Sequence, residues 1–461
     1  MRGEVEQWKL AKLRTHNALR PISRLPDELL ARVFIFLHGS DSKRAVERAI
    51  QVCHRWRRVA FKQGCLWSDV KIIFSRPSLE KAEAYLARSG TSPIKIAINL
   101  MSLDHEFCRD LSDRIIVPYA ARFTSFSFDS SSGLLGRAPL FPIPAPTPNL
   151  RSLRIYSTTS YDEWPPIFSQ RNAEEVHLND VQLHHGYGIN YGTSLDYLST
   201  RSLTSLTVTG RHDQAIFDLL MRCAVLKVLE WRSTLTPLTT VNPPHHREIH
   251  LPELLAARTL GVTCNIVASS LRAPNMQCLE WVVPDCGNQL GAVAPGLFSS
   301  RPRFPLLKNV YFQYACFLTP THFSTFLAMH DALETLVLEN LTTRDRSAVR
   351  ILAQLQHPRR ICPRLRHLYL GFTEPDPLNR SRVWPPHPAP NASSSALFAA
   401  LLRILGDGSG QHQHTSGSLL SITISNSIAG SRDVEGITAH PRVNMICPTE
   451  FTAAKEALMS I

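Results

Sequence analysis

The sequence predicts an α/β protein: a small all-helical module, then an irregular solenoid with a parallel sheet on its concave face. Two observations carry this. Apolar residues recur at helical spacing between about residues 25 and 60. From about residue 150 a strand phrase, approximately P-x-L-x-x-L-x-[LIVF], returns at steps of 23 to about 32 residues. The length agrees, since 461 residues suit about three ordinary domains or one long repeat array.

Composition narrows the function classes. With 44% hydrophobic and 19% charged residues, the chain can fill a large core and is not a disordered polyelectrolyte. No run of about 18 uninterrupted apolar residues occurs, so no membrane span is expected. The opening MRGEVEQWKL has no apolar core of the secretory type. The ten cysteines contain no C-x-x-C pair, and their closest spacing is eight, from Cys278 to Cys286. Scattered cysteines of this kind suit a reducing compartment, so cytoplasm or nucleus is expected. Residues 1–70 hold 14 Lys+Arg against 7 Asp+Glu, so +7 of the net +12 sits there. A basic module meeting an acidic partner, or a solvated helical face, both agree with that asymmetry.

Residues 1–20 read as a short helix or lead-in. Next, ISRLPDELLARVFIFLHG carries a helix start. Pro26 needs no N–H in the first turn, and Asp27 and Glu28 suit the positive end of the helix dipole. Leu29, Leu30, Val33, Phe34 and Leu37 form an apolar stripe that stops at Gly39. A second helix is expected over about residues 42–63, with Ala45, Val46, Ala49, Val52, Cys53, Trp56, Val59 and Ala60 inward. Leu66 and Trp67 then precede a short strand. Such a unit has little core of its own and should lean on a partner or on the next domain of the chain.

Leu25-Pro26-Asp27-Glu28-Leu29-Leu30, then Val33-Phe34 and Leu37, then Val52-Cys53-His54-Arg55-Trp56-Arg57, and finally Leu66-Trp67 together resemble an F-box over about residues 21–70. The middle segment HGSDSKRAVERAIQ is slightly long for it. The resemblance implies a docking module for the Skp-type adaptor of cullin–RING ubiquitin ligases. By it, Leu25 and Pro26 would lead the contact. Leu29, Leu30, Val33, Phe34 and Leu37 would give its helical face, and Val52, Cys53, Trp56, Leu66 and Trp67 would support or extend it. The larger share of these residues is expected in the module's own core and the smaller share at the interface.

From residue 71 to 461 the pattern becomes strand-like. Ile94, Ile96 and Ile98 alternate, and the repeat phrase recurs around Leu153, Leu178, Leu206, Leu229, Leu254, Leu279, Val310, Leu336, Leu368 and Ile422. Return helices are expected at 213–223, 321–333 and 395–406, and insertion loops near 374–395 and 406–418. The copies resemble degenerate leucine-rich repeats, although the Asn/Cys that usually comes after the strand is largely missing. An F-box followed by irregular repeats is an architecture familiar from fungal proteins.

Side chains alternate along a strand, so residues between the inward leucines line the concave face. Those are Arg154, Tyr156, His177, Asn179, Thr207, Glu230, Arg232, Glu280, Tyr311, Gln313, Glu339 and Tyr369. Two Arg against three Glu is not the Lys/Arg dominance of a nucleic-acid groove. Tyr and Arg instead suit protein recognition.

The histidine pairs His184-His185 and His245-His246 lack accompanying ligands at metal spacing, so no metal or other cofactor is expected. No phosphate-binding loop, zincin motif or nucleophile elbow occurs. The resemblance to an F-box followed by repeats implies a non-catalytic role: a substrate-recognition subunit of a Skp–cullin–F-box ligase. Its partners would be a Skp-type adaptor, through it a cullin, and an unknown target protein. A repeat scaffold or sensor with a purely structural box is the alternative.

Overall fold

The computed structural model describes residues 2–18, 20–39, 43–99, 105–130, 147–157, 179–185, 200–210, 214–233, 248–260, 270–282, 303–313, 320–341, 362–372, 401, 421–425, 443–446 and 448–459. The chain divides into two compact units, residues 1–132 with 143–152, and residues 133–142 with 153–461. The first unit thus extends well past the helical module.

Helix α1 (Arg2–Ala18) opens the first unit, and a 3-10 turn comes next at Pro21–Arg24. Helix α2 (Asp27–Gly39) begins directly after Pro26, whose carbonyl accepts from the Leu30 N–H. The single helix expected over 42–63 is two: α3 (Lys43–Val52) and α4 (His54–Phe61). Cys53 breaks it, with φ −158 and ψ 170, the extended backbone that suits a helix-start position. The break lets both halves pack on one core. Leu30, Ala31, Phe34, Val46, Ala49, Val59, Ala60, Leu66 and Trp67 are buried together, with Leu37, Ile50, Trp56 and Tyr85 against them.

Strand β1 (Asp69–Ile73), helix α5 (Arg76–Arg88) and strand β2 (Ile94–Asn99) then make a parallel βαβ unit, and β3 (Phe123–Ser130) pairs parallel with β2. Ser75 caps α5 by accepting from the Ser78 N–H, and Leu79, Ala82 and Leu86 form its buried stripe. Between β2 and β3 lies α6 (His105–Leu111), whose Phe107 packs on Phe74.

The second unit is dominated by parallel strands. In chain order they are β4 (Ser152–Ser157), β5 (Asp180–His185), β6 (Ser205–Gly210), β7 (Val228–Ser233), β9 (Ala256–Leu260) and β11 (Cys278–Val282). Then come β12 (Asn309–Gln313), β13 (Thr335–Leu341), β14 (His367–Phe372), β15 (Ser421–Ser425) and β16 (Val443–Ile446). Each lies beside its successor, and from β5 to β16 every pair is parallel. Two short strands, β8 (Ile249–His250) and β10 (Leu271–Arg272), pair separately. Parallel neighbours need a crossover each time, which is the logic of a coil of stacked units and is compatible with a repeat solenoid.

The inward leucines explain the sheet. Leu206, Leu229, Leu279, Val310, Leu336, Leu368 and Ile422 are buried in one cross-strand row. Return helices form at Gln214–Arg222 and Pro320–Met329. Phe217 packs edge-on to Trp231, and Phe323 and Phe326 pack on Phe312, which fixes this as the helix-lined face. The helix expected at 395–406 and both insertion loops lie outside the described residues, apart from the buried Leu401.

Candidate functional site

Helix α2 carries two apolar stripes. Leu30, Ala31, Phe34 and Leu37 turn into the first unit's core, where Phe34 meets the Trp56 ring edge at 5.3 Å. Leu29, Val33 and Phe36 stand beside them at i, i+4 and i+7 and are exposed, Phe36 to 77%. Ile35, Ile22 and Val52 are exposed as well. A helix presenting apolar residues at this spacing is the form that enters a hydrophobic groove.

The residues expected at an adaptor interface therefore divide. Leu29, Val33 and Val52 face solvent; Leu25, Leu37, Cys53 and Trp56 are half-buried; Pro26 is exposed; Leu30, Phe34, Leu66 and Trp67 are enclosed. Trp67 donates its Nε1–H to the Ala60 carbonyl at 2.9 Å, and Arg88 lies 5.1 Å over its ring, so it locks α4 to α5. Phe36 is absent from the sequence-based set because the helical periodicity is satisfied without it. Its signal is an apolar run, Val33 to Leu37, too continuous for a helix with one buried face.

The face is held rigid from behind. Arg55 on α4 donates to Asp27 Oδ1 at 2.8 Å and to the carbonyls of Ser23 and Leu25. The hydrogen bond from Arg55, with its charge and that of Arg58, holds the Asp27 carboxyl below its usual range despite partial desolvation. A second clamp joins α3 to α5. Glu47 accepts from Lys81 Nζ and from Tyr85 Oη, the latter at 2.7 Å.

In the second unit, strand register builds one row on the face away from the return helices. It runs Gln182, Thr207, Glu230, Arg258, Glu280, Tyr311, Val337, Tyr369 and Thr423. Its first half is polar: Arg258 bridges Glu280 at 3.0 Å and Glu230 at 3.5 Å, and Arg232 Nε donates to Glu230 at 2.7 Å. Its second half is apolar. Tyr311 donates to Glu339, and Tyr311, Val282 and Val337 are buried under Phe451 of the last helix, Pro448–Met459.

Of the expected face residues, Thr207, Glu230, Glu280, Tyr311 and Tyr369 fall in that row, and Arg232, Gln313 and Glu339 stand one pleat further along. Thr207, Glu280 and Tyr311 are buried, so they are not open surface. Arg154 and Tyr156 on β4 are exposed. The strand between β4 and β6 is Asp180–His185, just after the phrase around Leu178. Asn179 is consequently a lead-in residue whose carbonyl accepts from the Thr204 and Ser205 N–H groups. Val181 and Leu183 are the inward pair there, so Gln182 takes the face position; His177 lies outside the described residues. Arg258 and Val337 were missed because LPELLAART and ALETLVL show only their leucines to a repeat pattern.

Among the described residues no group of three or more His, Cys, Asp or Glu comes together to hold a metal. Among the same residues no helix is long and apolar enough to cross a membrane.

A family model described as F-box-like matches residues 22–73. The first unit carries an F-box-like domain. Its matched segment runs from Ile22 through α2, α3 and α4 to the end of β1, and so includes both the exposed stripe and the Arg55 clamp. No curated protein matches the chain. Among solved structures, the crystal structure of the Rad7 and Elc1 complex in yeast aligns at 16% identity and a TM-score of 0.33, covering 82% of this chain and 96% of that one.

Proposed function

We propose that this protein is the substrate-recognition subunit of a Skp–cullin–F-box type ubiquitin ligase. The F-box-like domain docks on a Skp-type adaptor, and through it a cullin, while the strand face of the second unit receives a target protein. The chain performs no bond chemistry. It raises the local concentration of a target lysine near the conjugating enzyme.

The observation that supports the docking half is the exposed stripe Leu29, Val33 and Phe36 on the helix that opens the F-box-like domain. Each such side chain buried at an interface contributes about 1.5–3 kcal/mol. Leu25 and Pro26, at the head of that helix, and Val52 extend the contact. For the target-binding half, the open part of the strand face, Arg258 in the row with the exposed Arg154 and Tyr156 on β4, supplies the Arg and Tyr types that anchor protein interfaces.

The test is co-purification of the full chain with a Skp-type adaptor, beside a variant carrying Leu29→Asp and Phe36→Asp. Capture by the parent and loss by an equally folded variant is the expected result. A well-folded parent that never captures the adaptor would overturn the reading.

A further inference from the structure

The apolar half of the strand face is occupied by the chain itself. Phe451, one turn into the last helix, is buried with Val282, Tyr311 and Val337, and Leu260 and Tyr369 complete the surround. The Tyr369 ring meets it edge-on, at 6.2 Å between centroids. These partners come from adjacent strands and from the face that points away from the return helices. That face is therefore not closed by the solenoid's own winding.

Gly371 shows that the seat is shaped for a ring. A Cβ at this position would stand 3.3 Å from Phe451 Cζ, 3.4 Å from Cε1 and 3.0 Å from Glu339 Cγ. Any larger residue would push the ring or the Glu339 side chain aside. Glu339 in turn accepts from Tyr311 Oη, so the polar rim of the seat is already satisfied and the floor presents apolar surface.

We propose that this seat is a recognition site for a helical segment of a partner protein anchored by an aromatic side chain. The helix Pro448–Met459 is then its intramolecular stand-in. The present occupant defines the chemistry: a phenyl ring delivered from the first turn of a helix with Ala453 and Ala457 exposed behind it. A tethered helix competes at an effective concentration of about a millimolar, so the seat stays closed to weak partners and opens to one that binds better. This deepens the target-binding half of the proposed function and rests on it, but it does not depend on the adaptor.

The test uses the full chain with Phe451→Ala and a labelled synthetic peptide of this chain's residues 446–461, monitored by fluorescence anisotropy. With a competitor at about millimolar effective concentration and a peptide binding at about 10 μM, the variant should bind about 100-fold more tightly than the parent. A peptide with Phe451→Ala should not bind. A chain carrying Phe451→Ala together with Gly371→Leu should lose the peptide while unfolding as cooperatively as the Phe451→Ala chain. Three results would overturn the proposal: a folded Phe451→Ala chain that takes up no peptide, equal uptake by the parent, or collapse of the second unit in that variant, which would make Phe451 an ordinary core residue. Adaptor capture, measured on the same Phe451→Ala chain, separates failure of this site from failure of the ligase reading.

Discussion

Arg55 reaches across the F-box-like domain to Asp27, with its Nε 2.8 Å from Asp27 Oδ1, and ties the start of α2 to α4. The same guanidinium holds the carbonyls of Ser23 and Leu25, so it fixes the turn that delivers Leu25 and Pro26 as well as helix α2 itself. Arg55→Met should therefore destabilise the first unit by about 1–3 kcal/mol, the worth of a charged donor to part-buried carbonyls. Chemical denaturation reads this directly. Asp27→Asn should show a smaller effect, since Asp27 is 42% exposed and solvent screens it. Because the Asp27 pKa is depressed on folding, its contribution is present above the unfolded carboxyl value and fades as pH falls through the folded one. An unchanged midpoint in Arg55→Met would mean that the clamp is dispensable.

Phe34 and Phe36 sit two residues apart with opposite burial. Phe34→Ala should cost about 3–5 kcal/mol and unfold the helical module, because its ring fills a closed core. Phe36→Ala should shift stability by no more than about 0.5 kcal/mol, as for surface sites, while weakening adaptor capture. Thermal melts paired with capture assays separate the two, and similar melting points for both variants would show that the stripes are misassigned.

Gly64 is a close-approach position at the turn before Leu66 and Trp67. A Cβ there would lie 2.6 Å from the Ser89 carbonyl oxygen and 2.7 Å from Ser92 Oγ. Gly64→Ala should destabilise the unit by about 1–3 kcal/mol through overpacking against backbone. Denaturation of a variant as stable as the parent would show that the turn can yield.

His330 is buried between Phe304 and Phe326, with Nδ1 2.7 Å from the Phe326 carbonyl, and among the described residues Nε2 has no partner. Burial lowers its pKa, outweighing the Phe326 carbonyl and Asp331, so the folded protein prefers the neutral ring. The unfolded chain then binds more protons below about pH 6.5, and stability falls as pH drops from there toward the lower folded value. His330→Asn should flatten that decline in the second unit. A parent and variant with the same slope between about pH 7 and 5 would argue against a buried neutral histidine.

Local features were readable wherever local chemistry dictates them. The run from Pro26 through Leu37 specifies a helix by its start signals and spacing, and the helix begins at Asp27. The leucines of SLTSLTV, AVLKVLEW and FPLLKNVYF specify strands, and β6, β7 and β12 lie there. The break at Cys53 was not readable, because apolar periodicity continues across it and only the shared core demands two helices. Helix α5 was legible in principle from Ser75 and Pro77 but is outweighed by its strand-like neighbours.

What the sequence determined by itself was the ordered F-box motif and the repeating strand phrase, since both rest on short-range spacing of apolar side chains. Which apolar residues remain outside was decided only in three dimensions. Leu30 and Phe34 turn inward and Leu29 and Phe36 outward because α3 and α4 cover one flank of α2. Tyr311 belongs by alternation to an outward row, yet it is buried because Phe451, 140 positions further along the chain, comes back to cover it. Alternation along one strand cannot encode a contact made by a distant helix; the sheet had to bring several strands together before that seat existed.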